Sequence, residues 1–333
     1  MGKQTRISHS NPLSLRDWDK KVFLSARKRT FWDKLRGVDT SNGKAQKMVE
    51  DYEKKGRSLM TDSNSFMESR TLANGEGTEE IFKLQVVGDY ADDTNWIMND
   101  NLLENHEKNM EFASQSVVYD IHKFGVNRGG SKTKVETDID LVASMHTQVS
   151  ISTAERLDFL RFKACRATAY SNTASVSGSS VAVRIGALVD MAQTGKGIDK
   201  IIKPVKIGGE DYYVLGLSIA DARVWRNSAE YGQAQREANE RSAKNPIFTG
   251  ALGIYENVII MKHQDFEDGK SVLLGSQAML ELWGGDRVQQ IVGTSKYGKI
   301  ESESLGVFLS YGVDGAKFSD GKVHGMITAK VTP

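Results

Sequence analysis

The feature that most constrains this chain lies between residues 133 and 170. Val135, Ile139, Val142, His146 and Val149 step along one helical face in a 4-3-4-3 rhythm, and Leu157, Leu160, Ala164 and Ala167 form a second stripe. Thr133 with Glu136, and Ser152 with Glu155, both have capping-box spacing. The region therefore reads as one long helix broken near Ser150, or two helices end to end, and the paired start signals favour the break. Strand signals lie on either side of it instead of alternating with helices, so the class is α+β without βαβ units.

Upstream, IFKLQVVGDY (81–90) alternates, with Phe82, Leu84 and Val86 on one face, and MEFASQSVVYDIHKFGV (110–126) again reads as strand. Between them DDTNWIMNDNLLENHEK (92–108) is a polar, Asn-rich excursion longer than ordinary hairpin connections; loops of that length inside compact domains are usually functional. Downstream, VRIGALVDMAQ predicts a short helix. KPVKIGGEDYYVLGLS (203–218) predicts a hairpin turning at Gly208–Gly209. Residues 219–243 predict a polar helix, and NPIFTGALG (245–253) a glycine turn leading into the strand IYENVIIMKH. VLLGSQAMLELWG (272–284) predicts a helix stopped by Gly284–Gly285, and the last fifty residues several antiparallel strands. No fixed-period repeat is present.

Charge is distributed unevenly. Over the 333 residues the net charge is +1, but residues 1–58 hold fifteen Lys and Arg against seven Asp and Glu, leaving that segment at +8 and the remainder at −7. Such asymmetry fits either an arm with an anionic partner, nucleic acid or an acidic protein surface, or a solvated, partly disordered tail. Trp18, Phe23, Leu24, Phe31, Trp32 and Leu35 make the arm too aromatic for a typical disordered tail, so it is expected to pack on its own body or on a neighbour.

Chemistry-bearing motifs fail on inspection. DMAQTGKGI (190–198) has Asp190 where a phosphate loop begins with Gly, and Gly197 where it needs Ser or Thr. No GxGxxG follows a strand. His9, His106, His122, His146, His263 and His324 show no metal-ligand spacing, and the single cysteine, Cys165, sits mid-helix as a structural thiol. Trp225, Trp283, Tyr255 and Phe248 read as core or interface residues. One cysteine leaves no intramolecular disulfide, which suits a reducing compartment. No apolar run approaches the roughly 20 residues that a spanning helix requires, and MGKQTRISHSN lacks a signal-peptide core. Neither an enzymatic site nor a cofactor is expected.

The stretches RIGALVD (184–190), PVKIGGEDYYVLGLS (204–218), NPIFTGALGIYENVIIMKH (245–263), VLLGSQAML (272–280) and YGVDGAKFSDGKVHGMI (311–327) occur in that order. Together they resemble the major capsid proteins of tailed bacteriophages, specifically the family named after the phage N-four coat protein. The resemblance covers about two-thirds of the chain; residues 1–80 carry no matching motif. It implies an HK-97-like capsid fold, with an N-terminal arm at 1–77, an extended β-loop at 78–128 and a spine-helix region of a peripheral domain at 129–174. A mainly axial domain would occupy 175–285, and C-terminal strands returning to the peripheral domain 286–333. A break near Ser150 would depart from a single straight spine.

The resemblance further implies self-assembly into hexamers and pentamers of an icosahedral head around double-stranded DNA, which is bound without sequence preference. The virion would be its destination and the host cytoplasm the place of assembly. Portal, scaffold and possibly decoration proteins would be partners; the chain's length leaves little room for a built-in scaffolding segment. Candidate contacts of the basic arm, to a neighbouring subunit or to DNA, are Arg16, Lys20, Lys21, Arg27, Lys28 and Arg29. Candidate inter-subunit contacts of the loop are Trp96, Ile97, Met98, Glu104 and Glu107. Two other readings stand beside this one: the shell of a cellular nanocompartment with the same fold, and an enzyme with an unrecognised site.

Overall fold

The structure is a computed structural model that describes residues 32, 35, 65–72, 77–85, 112–127, 141–198, 200–207, 210–232, 251–297 and 300–332. Two sheets and a long helix organise them.

The first sheet has four strands in the order β1-β11-β12-β4. Strand β1 (Met67–Thr71) runs parallel to β11 (Met279–Tyr297), while β11 pairs antiparallel with β12 (Ile300–Gly315), which pairs antiparallel with β4 (Asp120–Asn127). Strands β11 and β12, of 19 and 16 residues, make a long hairpin, and with β13 (Met326–Ala329) they are the antiparallel strands expected of the last fifty residues. Their register shifts between Trp283 and Val288, where Gly284 and Gly285 lie. The glycine pair read from sequence as a helix stop is thus a bulge in a strand. A Cβ at Gly284 would sit 2.6 Å from that of Ser310, so the two strands approach too closely there for a larger residue.

The second sheet runs β5-β13-β10-β7-β9-β8, with β6 also pairing to β7. Its members are β5 (Thr173–Ala174), β6 (Val205–Ile207), β7 (Glu210–Leu217), β8 (Gly253–Tyr255), β9 (Val258–Lys262), β10 (Ser271–Leu274) and β13 (Met326–Ala329). The expected hairpin at 203–218 is the β6–β7 pair; its Gly208–Gly209 turn lies outside the described residues. VLLGSQAMLELWG is not a helix. It divides into β10 and the start of β11 around a turn in which Gln277 is left-handed (φ 51°). The apolar run looked helical because both of its strands are buried on both faces, which removes the alternation that marks a half-exposed strand.

One face of this sheet is covered by α2 (Val181–Thr194) and α3 (Ile219–Arg226): Ile185, Leu188, Ala222 and Trp225 pack on Tyr213, Leu215, Ile260, Leu273 and Ile327. Ser180 and Ser218 cap the two helices by accepting from the amides of Val183 and Asp221. Helix α3 stops at Arg226, well short of the helix expected to reach 243; residues 233–250 lie outside the described set. The C-terminus is tied to this layer. Arg184 Nη1 donates to the Thr332 carbonyl (2.6 Å), and Thr332 Oγ1 donates to Asp221 Oδ1 (2.8 Å).

Helix α1 (Leu141–Ala169) joins the two sheets. It is unbroken over 29 residues, contrary to the expected break near Ser150. Ser152, the expected cap, lies inside the helix, where its Oγ accepts from Gln148 Nε2 (3.4 Å), and the neighbouring Thr153 Oγ1 donates back to the Val149 carbonyl (2.7 Å). Local capping signals lose here to tertiary packing, because Met145, Val149 and Leu157 all lie on the long sheet against Trp283, Leu305, Val307, Leu309 and Tyr311. Beyond Leu157 the buried stripe follows Phe162, Cys165 and Ala169, which cover the other face of the seven-stranded sheet at Val214, Met261, Phe266, Val272 and Met326. Ala167, placed on the expected stripe, is exposed.

Candidate functional site

The basic-arm candidates Arg16, Lys20, Lys21, Arg27, Lys28 and Arg29, and the loop candidates Trp96, Ile97, Met98, Glu104 and Glu107, lie outside the described residues. What the structure does describe is the ground on which both segments stand. Trp32 and Leu35 are fully buried in the central cluster, with the Trp32 ring 5.1 Å from that of Phe162. The chain is therefore anchored on its own body just after the six arm cations.

The root of the long excursion is equally fixed. Strands β2 (Glu79–Gln85) and β3 (Phe112–Val118) pair antiparallel and enclose 86–111 in sequence. Their inner residues Phe82, Leu84 and Val117 pack on Leu280, Leu282, Ala316 and Phe318, so the root covers the face of the long sheet turned away from α1. Polar contacts reinforce the seat. Arg70 bonds Glu68 and Glu80 and lies over the Phe82 ring, and Gln277 Nε2 donates to Glu68 (2.8 Å) and to the Lys83 carbonyl (3.2 Å). Gln115 donates to Asp314 (3.1 Å) and accepts from the amide of Lys317 (2.7 Å). Ile81 and Val118 face outward from this root and are exposed.

Beyond the root the long sheet has only α1 as cover among the described residues. Strand β4 is its outer strand there, and a groove of about 590 Å³ runs between β4 and α1, lined by His122, Phe124, Ser152, Thr153, Arg156 and Val307 among others. Ile121, Phe124 and Phe159 around it are 59%, 42% and 48% exposed, an unusual density of large apolar side chains in water. Lys123 lies over the Phe308 ring and Arg156 over that of Phe159. Arg156 Nη2 is 3.2 Å from His122 Nδ1. Burial first, and then the Arg156 charge, lower the His122 pKa, so the imidazole is neutral at pH 7. The groove presents apolar surface and cationic heads, with Asp120 and Glu155 as the nearby acids.

A buried ionic network, which sequence reading missed, lies where α1 passes from one sheet to the other. Arg161 Nη2 donates to Glu281 Oε1 (2.6 Å), Arg161 Nε donates to Tyr311 Oη (2.9 Å), and Tyr311 donates to the same Glu281 oxygen (2.7 Å). All three side chains are sealed from solvent. Each charge does stand out in sequence, Arg161 between Leu157 and Cys165 at helical spacing and Glu281 inside MLELW, but nothing there pairs them across the chain.

The remaining titratable groups are structural. Cys165 is buried and its thiol is pushed up to about 12, which leaves no thiolate for nucleophilic attack. His263 stacks on Phe162 at 4.2 Å, and burial lowers its pKa. Burial holds His324 down at about 4. Among the described residues no group of His, Cys, Asp and Glu is arranged to hold a metal ion, and no helix is long and apolar enough to cross a membrane.

Residues 160–294 match the model of the phage capsid protein family. No curated protein matches the chain in sequence. Among solved structures, the capsid of Ralstonia phage GP4 superposes with a TM-score of 0.67 at 19% identity, covering 82% of this chain and 89% of that one. The acid-stable capsid of Helicobacter pylori bacteriophage KHP30 gives 0.60 at 14% identity, covering 80% and 87%. The capsid of cyanophage Pam1 gives 0.57 at 16% identity, covering 82% and 91%. At such identities the likeness is one of fold, and that fold is HK-97-like. The family match through residues 160–294 and the fold agree: the centre of the chain is similar to phage capsid proteins, and the chain as described has their fold.

Proposed function

We propose that this chain is the major subunit of an icosahedral phage head, closing into hexamers and pentamers around double-stranded DNA, and that the virion is where it resides. The observation that carries the proposal is the capsid fold over four-fifths of the chain, together with the family match through its centre. The surface supports it as well. An open outer strand and a cationic, apolar groove are what a subunit presents when its neighbours complete it through heterologous, ring-closing contacts. The N-four-like group is the branch that the motif order favours. Assembly in the host cytoplasm, on a separate scaffold protein and around a portal, with decoration proteins where present, belongs to the same reading. Nothing in the structure favours a nanocompartment shell.

In this reading the loop carrying Trp96, Ile97 and Met98 docks its apolar tip on a neighbour, and Glu104 and Glu107 meet cationic heads such as Lys123 and Arg156 at the β4–α1 groove. Exposed ion pairs of this kind contribute only ~0–1 kcal/mol each, so stability comes from many repeated contacts and buried apolar area. The arm cations Arg16 to Arg29 precede the Trp32 anchor and reach either acidic neighbours or the packaged DNA. A DNA contact would be phosphate-directed and salt-dependent.

Expression of the full chain, followed by sedimentation and negative-stain imaging, tests the function. Shells, tubes or ring-shaped capsomers are the expected result, and their absorbance ratio reports whether nucleic acid is recruited. A monomer that stays discrete even with the phage's scaffold protein added would overturn the proposal. Removing residues 1–30, which spares Trp32 and Leu35, should weaken assembly or nucleic-acid content; unchanged shells would remove the arm from the account.

A further inference from the structure

The buried network Arg161–Glu281–Tyr311 occupies a singular position. Below it on α1, Met145, Val149 and Leu157 belong to the cluster against the long sheet. Above it, Phe162, Cys165 and Ala169 belong to the cluster against the seven-stranded sheet. Glu281 sits on β11 opposite Ser69 of β1 and Val313 of β12, and Tyr311 sits opposite Trp283. The network thus ties the helix to two strands of the long sheet at the point where the helix leaves that sheet for the other.

Burial of apolar area is non-directional, so by itself it specifies one register of a helix on a sheet less sharply than a directional contact does. A guanidinium held by a carboxylate and a phenol is such a contact, since its donors have fixed directions and an unmatched charge in a dry interior is very unfavourable. Buried ion pairs often add no net stability compared with apolar replacements of similar volume; a role in setting register is their best-attested use. A second close approach shows how tightly α1 is seated: a Cβ at Gly315 on β12 would lie 2.3 Å from Thr168 Oγ1 of the helix.

We propose that Arg161, Glu281 and Tyr311 form a register latch that sets the position of α1 along the long sheet, hence the angle between the two sheets, and through that angle the curvature of the assembled shell. The three are positioning residues: they meet no partner subunit themselves and act on assembly through the shape they impose. The last link, from angle to curvature, rests on the capsid function proposed above; the first does not.

The test uses the full chain with Arg161→Met, Glu281→Leu and Tyr311→Phe combined, which removes all the polar groups and leaves no charge stranded. Spin labels on cysteines introduced at exposed Lys123, on the long sheet, and exposed Gln193, on α2, read the distance between the two units; buried Cys165 does not compete for label. The expected result is an unchanged or higher melting temperature, a broadened or displaced distance distribution, and a wider spread of shell sizes than the unaltered chain gives in the same preparation. A folded triple variant with the native distance distribution overturns the latch, and so does a large fall in melting temperature, which would make the network a stability element instead. Should the triple variant not fold, Tyr311→Phe alone must still broaden the distribution, or the latch is overturned. An altered distance distribution with shells of native size would leave the latch standing and sever its link to curvature. Failure of the unaltered chain to assemble under any condition would count against the capsid function, while the distance measurement judges the latch by itself.

Discussion

Among the described residues, the seven-stranded sheet is sealed on both faces, by α2 and α3 on one side and by the end of α1 on the other, whereas the long sheet is sealed over part of its length only. The difference is visible along single strands. In β10 all four residues are buried, and in β7 the last six are. In β12 burial alternates, with Leu305, Val307 and Leu309 toward α1 and Gly306, Phe308 and Ser310 half-exposed on the other side. A sheet sealed on both faces is complete within its own chain. The long sheet, with an outer strand and with Ile121 and Phe124 exposed, leaves surface that no described residue covers. In the proposed function the two regions divide the work: one holds the subunit together and the other meets its neighbours.

The sharpest way to break this comparison is at the junction. Glu281→Ala strands the Arg161 charge in a dry interior and should cost about 3–5 kcal/mol in chemical denaturation. A loss under about 1 kcal/mol would mean that water reaches the network. Next comes the sealed core. Leu273→Ala should cost about 2–5 kcal/mol, clearly more than Phe308→Ala on the half-open sheet; equal losses would erase the distinction between the regions.

Acid sharpens it further through His324, which lies between β12 and β13 where the chain returns from one sheet to the other. Burial holds its folded pKa at about 4, below an unfolded value near 6.5. Stability should be full above pH 6.5, decline as pH falls because the unfolded chain takes up the proton first, and level off below about 4, a loss of roughly 3 kcal/mol in all. His324→Gln should flatten that acid limb, and an unchanged limb would place its origin elsewhere. The smallest expected effect on the subunit is at the groove: Ile121→Ser with Phe159→Ser should shift stability by no more than about 0.5 kcal/mol while reducing shell yield. A subunit that melts early would show that these residues belong to its own core.

Legibility followed the same divide. Phe82 and Leu84 were placed on one buried face from sequence because that strand is covered on one side and its pattern alternates. Residues 272–284 were misread as helix because strands buried on both faces lose that pattern. Ser152 and Glu155 fit a helix start, yet α1 runs through them, because the long sheet favours a continuous helix more than a local cap favours a new one. The groove beside β4 was invisible for another reason. His122 and Arg156 are 34 residues apart and meet only because β4 folds back onto β12 beneath α1.

The sequence by itself determined the α+β class, the amphipathic helical centre, the long polar excursion between two strands, the uneven charge and, through motif order, the likeness to phage capsids. These rest on local periodicity and composition, which a chain carries before it folds. Only the tertiary structure decided that the helix is single, that Arg161 and Glu281 share one dry site, and which face of the long sheet α1 covers. Those depend on pairings across more than a hundred residues, where directional hydrogen bonds and mutual exclusion of water act between groups that no spacing rule connects.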